Sequence, residues 1–189
     1  MDLLDNIQYQ NFNLYIEIGE IDYGWMDITL VSHYAYKKYC ASYLCDPIND
    51  LVQKFALLID NKPFQINPFE SRMNIAIVEH DCEEGNIVWL LRKSNDDLYI
   101  YIWENEYELD EWLLADFSTG YFLDNDELLP NITKNLIFSL RGTMKDFAGT
   151  VIKTVEYLKN QARQLDPKDD WGYKISDSDY HEVLKLVRP

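Results

Sequence analysis

The strongest constraint on the fold is a repeated change of hydrophobic period along the chain. Asn13 to Gly19 alternates, with Leu14, Ile16 and Ile18 on one face and Tyr15 and Glu17 on the other. Trp25 to Ser32 alternates again, with Met26, Ile28 and Leu30 against Asp27 and Thr29. A third strand is expected over about Lys37 to Tyr43, and three more over Met73–Glu79, Asn86–Lys93 and Leu98–Glu104. Trp112–Phe117 and Asn135–Arg141 complete the strand candidates. The period shifts to 3.6 in two stretches. In the first, Ile48, Leu51, Val52, Phe55, Leu58 and Ile59 form a stripe behind Asp46 as cap and Pro47 as first helical residue. In the second, Phe147, Val151, Ile152, Val155, Leu158 and Ala162 follow Thr143 and Asp146, which have the spacing of a capping box. Ser178 is the expected cap of a short last helix carrying Val183, Leu184 and Val187. Residues 61–72, with Pro63 and Pro68, read as a loop, and Glu127-Leu128-Leu129 before Pro130 as a helical turn or loop.

Short links between strands favour antiparallel neighbours, and the helices do not alternate with single strands. The expected fold is therefore α+β: a mostly antiparallel sheet of about 7–8 strands, packed by two long helices and a short C-terminal helix. The 189 residues suit a single domain, 1–189, with no repeat and no dividing linker. A chain of this size buries enough surface to need neither a disulfide nor a metal staple.

Charge is the main functional clue. The chain has 33 acidic and 17 basic residues, a net charge of −16. Residues 94–133 hold 11 of the acids and no base. Such a surface repels phosphate backbones and anionic membranes and attracts basic proteins. The expected partner is a basic protein, with no nucleic acid and no membrane. The acidic N-terminus lacks a secretory pattern, no apolar run is long enough to span a bilayer, and Cys40, Cys45 and Cys82 make an odd count without CxxC. Together these features point to reduced thiols in the cytoplasm.

Catalytic signatures are sparse. The seven glycines form neither GxGxxG nor GxxxxGK[ST], and GxSxG and HExxH do not occur. His80-Asp81-Cys82 comes nearest to a metal or nucleophile cluster, but two close ligands without a second pair match no standard spacing, and a polar strand end is the plainer reading. His33 and His181 are isolated and suit surface or cap roles. No catalytic residue, metal or cofactor is expected. Glu104, Glu106, Glu108, Asp110 and Glu111 pose a sharper question. In an extended stretch the three glutamates share a face. Carboxylate pairs perform glycoside hydrolysis, yet three like charges in a row suit a solvated edge or a partner surface better. Just before them, Tyr99, Tyr101 and Trp103 oppose Leu98, Ile100 and Ile102, so both faces of a central strand are apolar or aromatic. One face can take the helices. The other needs cover from within the chain or from another chain, and tyrosine and tryptophan are favoured at binding hot spots. The candidate partner-binding set is Tyr101, Trp103, Glu104, Glu106, Glu108, Asp110 and Glu111. A small enzyme or ligand binder with a pocket beside the sheet, and a homo-oligomer built on the aromatic face, stay open.

Three segments add a resemblance. Ala41-Ser42-Tyr43-Leu44-Cys45-Asp46-Pro47-Ile48-Asn49-Asp50-Leu51 runs from strand to helix, Arg141-Gly142-Thr143-Met144-Lys145-Asp146-Phe147 opens the second helix, and Trp171-Gly172-Tyr173 precedes the last. The combination is similar to small uncharacterised bacterial cytosolic proteins, some of which resemble immunity proteins encoded beside polymorphic toxins. The resemblance covers about a third of the chain and rests on caps, turns and core positions. It implies a bacterial, cytosolic, non-enzymatic protein and carries over no site residue.

Overall fold

The computed structural model describes residues 8–22, 24–42, 46–67, 70–72, 74–82, 85–105, 135–162 and 175–188. The architecture is α+β, with one mostly antiparallel eight-stranded sheet and three helices. The sheet strands are β1 (Gln10–Asn11), β2 (Tyr15–Asp22), β3 (Trp25–Val31), β4 (Tyr36–Ser42), β7 (Ile75–Cys82), β8 (Gly85–Ser94), β9 (Asp97–Asn105) and β10 (Leu136–Thr143). Between β4 and β7 come α1 (Pro47–Ile59) and a separate hairpin, β5 (Phe64–Asn67) with β6 (Glu70–Arg72). The helices α2 (Met144–Ala162) and α3 (Asp177–Val187) close the chain. They are unequal, with 13 residues in α1, 19 in α2 and 11 in α3. The candidate strand Trp112–Phe117 and the turn at Glu127–Leu129 lie outside the described residues.

The order across the sheet is β1-β10-β9-β8-β7-β4-β3-β2. Two antiparallel meanders, β2–β4 and β7–β9, meet side by side, and the crossover that joins them carries α1. The only parallel pair among the described residues of this sheet is β1 on β10. Among the described residues β4 and β7 share one ladder pair, Ala41 with Cys82. Side chains reinforce it. The Tyr39 hydroxyl on β4 lies 2.7 Å from Nδ1 of His80 on β7, and Lys37 on β4 reaches Glu104 on β9 at 2.6 Å.

Helix ends follow their local chemistry. Asp46 accepts from the Asn49 amide, with Pro47 opening α1. Asp46 itself has φ 41°, a left-handed conformation that aspartate tolerates better than most residues. At the far end Asn61 is left-handed, its amide reaches the Leu58 carbonyl, and the Lys62 amide reaches Leu57. These two bonds form a Schellman stop. Lys93 Nζ also donates to the Leu58 carbonyl, adding a cation at the helix C-terminus. The Thr143–Asp146 capping box is present, because each backbone amide donates to the other side chain. Two expectations need correcting. The cap of α3 is Ser176, not Ser178, since its Oγ accepts from the Asp179 amide and the helix starts at Asp177. Residues 61–72 are not all loop. The β5–β6 hairpin forms there, with Pro63 just outside the ladder, where its missing amide hydrogen leaves no gap.

The helices cover one face. Phe147 of α2 meets Phe55 of α1 edge-on at 4.8 Å and lies 6.5 Å from Trp89 of β8. The helix α3 rests on both α1 and α2. Register sets Trp89 beside Ile102 and Val78, and Leu91 beside Ile100 and Ala76, all buried. The opposite face of the same strands carries Val88, Leu90, Tyr101 and Trp103, and these are buried too. Tyr9 contributes to their cover, with its hydroxyl 2.6 Å from that of Tyr101 and its ring edge-on to Tyr99. No described helix is long and apolar enough to cross a membrane.

Candidate interaction site

The described members of the predicted partner-binding set fall in two different environments. Tyr101 and Trp103 are 1% and 4% exposed, so in this structure their rings fill the interior and offer no surface. Their alternation opposite Ile100 and Ile102 marks a central strand covered on both sides. Glu104 stands at the end of β9 with a half-exposed side chain, paired to Lys37. Glu106, Glu108, Asp110 and Glu111 lie outside the described residues.

The Lys37–Glu104 pair spans a cleft of about 190 Å³ that opens where β4 leaves β7. Lys38, Tyr39, Cys40, Cys82 and Asn86 are also on its walls. Its charges are already matched, because Lys38 pairs with Asp27 at 2.6 Å. Cys82 is a poor nucleophile. Burial pushes its thiol up to about 12, and its Sγ donates to the His80 backbone carbonyl rather than meeting the imidazole. The His80 ring turns the other way, toward α1, where Nε2 is 3.1 Å from the Pro47 carbonyl. That carbonyl can only accept, so Nε2 carries a proton, and in the neutral ring Nδ1 accepts from the Tyr39 hydroxyl. Burial lowers the His80 pKa to about 4, consistent with a neutral ring. His80-Asp81-Cys82 is thus a strand end whose histidine braces the sheet. Among the described residues no group of three or more His, Cys, Asp or Glu side chains is placed to hold a metal.

A different surface is rich in exposed aromatic rings. The register pairs Tyr15 with Val31 and Val31 with Tyr36, forming one row across β2, β3 and β4. Tyr15 is 52% exposed and Tyr36 65%; Tyr34, in the β3–β4 turn, is 61% exposed. The next row is Glu17, Thr29 and Lys38. This face lies opposite Ile16, Ile18, Ile28 and Leu30, which are buried toward the helices. Sequence reasoning placed Tyr15 and Glu17 on the polar side of their strand but did not single them out. The available signal was an outward tyrosine in an otherwise regular alternation, repeated near the start of β4.

No family model, curated protein or solved structure matches this chain.

Proposed function

We propose that this chain is a non-catalytic, cytoplasmic binding protein that captures a basic protein, in the manner of an immunity protein neutralising a toxin such as a nuclease. The net charge of −16 is the observation that carries the reading. Charge of this size raises the encounter rate with a cationic partner and discourages contact with nucleic acid. Nucleases present cationic surfaces to bind phosphate, so an acidic inhibitor can occupy them. The acidic run that begins at Glu104 provides the steering field, and the bacterial resemblance of the strand–helix and capping segments agrees with the immunity role. The test is a pull-down from the source organism with the immobilised full chain, at about 50 mM and again at about 500 mM salt. A basic protein held at low salt and released at high salt supports the reading. Failure to retain any basic protein at low salt defeats it.

A second reading, a small-ligand binder, draws on the cleft between β4 and β9. Ligand charges there would have to displace the Lys37–Glu104 pair, which places this reading behind the first. A metabolite that raises the melting temperature of the wild type but not of Glu104→Gln would favour it.

A further inference from the structure

We propose that the cleft beside β4 binds a small zwitterion, an α-amino acid whose carboxylate meets Lys37 and whose ammonium meets Glu104. The proposal rests on the small-ligand reading of this cleft and names the ligand class that reading lacks. The cleft exists because the two meanders part early. Among the described residues the β4–β7 ladder has a single pair, so the stretch of β4 from Lys37 to Cys40 runs on as one wall. The start of β8 and Glu104 near the end of β9 are on the other. Consecutive β4 residues all take part, so the opening follows the strand edge rather than one face of the sheet. Its volume of about 190 Å³ is below the roughly 300–1,000 Å³ of pockets that hold drug-sized molecules, so the occupant is small.

Charge selects the occupant. Lys37 and Glu104 stand on strands that are not neighbours, and their side chains meet at 2.6 Å across the opening. Lys38, the other cation on the walls, is held by Asp27. Among the described wall residues one cation and one anion therefore face a ligand. A simple anion would take Lys37 and leave Glu104 without a counter-ion. A simple cation would do the reverse, and a neutral molecule that parted the pair would compensate neither charge. A zwitterion breaks one ion pair and makes two, so both charges stay matched. The flexible stem of Lys37 lets its ammonium swing aside without moving the strand. The two side chains are 23% and 45% exposed, so water already weakens their attraction and the pair opens at little cost. Beside them Tyr39 and Ile87 supply an apolar wall, which suits a short uncharged side chain on the ligand.

The experiment follows the melting temperature of the full chain with glycine, L-alanine, L-serine and L-valine, and with acetate, methylamine and acetamide as single-charge and neutral probes. Each is added at about 10 mM, roughly tenfold above a dissociation constant of about 1 mM. The chains compared are wild type, Lys37→Gln, Glu104→Gln, and Lys62→Gln. The last removes a lysine from the Lys62–Asp60 pair, away from the cleft walls, and controls for net charge. Melts without ligand verify folding, and either cleft variant keeps the test decisive if the other does not fold. The expected result is that at least one amino acid raises the wild-type melting temperature by about 2 °C or more. Lys62→Gln keeps that shift, both cleft variants lose it, and acetate, methylamine and acetamide produce none. An equal shift in all folded chains is a general solvent effect and overturns the proposal. A shift from acetate, methylamine or acetamide that Glu104→Gln abolishes, with none from the amino acids, overturns the zwitterion and leaves the small-ligand reading standing. No shift from any probe defeats both.

Discussion

At the scale of single residues, two positions show how closely the interior is matched to its side chains. His80 is buried, and its neutral ring engages both nitrogens, Nε2 donating to the Pro47 carbonyl and Nδ1 accepting from the Tyr39 hydroxyl. Its pKa falls from 6.5 to about 4 on folding. The unfolded chain therefore takes up a proton as pH drops below about 6.5, while the folded chain does so only near 4. The contribution of this group to stability is complete above about pH 6.5 and is lost progressively toward pH 4. Its size is on the order of 3 kcal/mol, from about 1.4 kcal/mol per pK unit. Chemical denaturation of wild type and His80→Gln at several pH values from 4.5 to 7 should show a steeper loss in the wild type. Parallel curves would mean that His80 does not titrate as its surroundings demand. The second position is Gly142, which lies against Phe12. A β-carbon built there would fall inside van der Waals contact of the Phe12 β-carbon, the stiff root of that side chain. Phe12 is anchored by its amide to the Arg141 carbonyl, so it cannot move aside without breaking that bond. Gly142→Ala should cost roughly 1–3 kcal/mol by overpacking. It should also speed amide hydrogen exchange at Phe12, where a purely local helix-cap defect would not.

Among the elements, the exposed end of the sheet is the feature most in need of protection. An edge strand displays unpaired carbonyls that invite another strand. Here α2 covers the edge strand β2 chemically as well as sterically. Thr150 donates its hydroxyl to the Leu14 carbonyl at 2.8 Å, and one turn later the buried Thr154 hydroxyl lies 3.4 Å from the Ile16 carbonyl and 3.0 Å from that of Thr150. The pair Thr150→Val/Thr154→Val keeps shape but removes both donors. A loss of about 2 kcal/mol in melting experiments is expected, with larger species in light scattering as β2 becomes available for pairing. Unchanged stability and a monodisperse sample would show that the helix covers the edge by bulk alone. The opposite edge is managed by brevity, because β1 has two residues. Neither device was legible in the sequence. The capping box at Thr143, the stripe from Ile48 to Ile59 and the alternation in β2, β3, β8 and β9 are local patterns, and they marked their elements well. By contrast, β1 forms only because residues about 130 positions apart meet, and the β5–β6 hairpin sits in a stretch whose two prolines read as breakers. The site was harder still. Tyr15 and Tyr101 look alike in an alternating strand, and what separates them is sheet order. Because β4 pairs with β7, the first meander ends at an edge and the second occupies the middle. That arrangement buries Tyr101 and exposes Tyr15.

For the molecule as a whole, the net charge sets the terms. Sixteen uncompensated negative charges share one folded chain, for which 189 residues imply a radius of gyration of about 16 Å. Screening is weak over that distance at about 0.01 M salt, where the Debye length is roughly 30 Å, and substantial at about 0.15 M, where it is roughly 8 Å. Repulsion is stronger in the compact state than in the expanded unfolded chain, so salt should favour folding. Surface ion pairs such as Lys62–Asp60 and Arg141–Asp97 act in the opposite sense, because screening weakens them. Exposed pairs are each worth about 0–1 kcal/mol, too little to offset the excess of like charge. The melting temperature should therefore rise as sodium chloride increases from about 0.01 to 0.15 M, a range low enough to exclude general salting-out effects. In the same range, affinity for a basic partner should fall, since there the screened charges attract. Opposite salt responses of stability and binding would trace both to one field. A melting temperature that falls with salt would mean that the ion pairs outweigh the net charge, and the acidic surface would then be a set of local contacts rather than a source of long-range attraction.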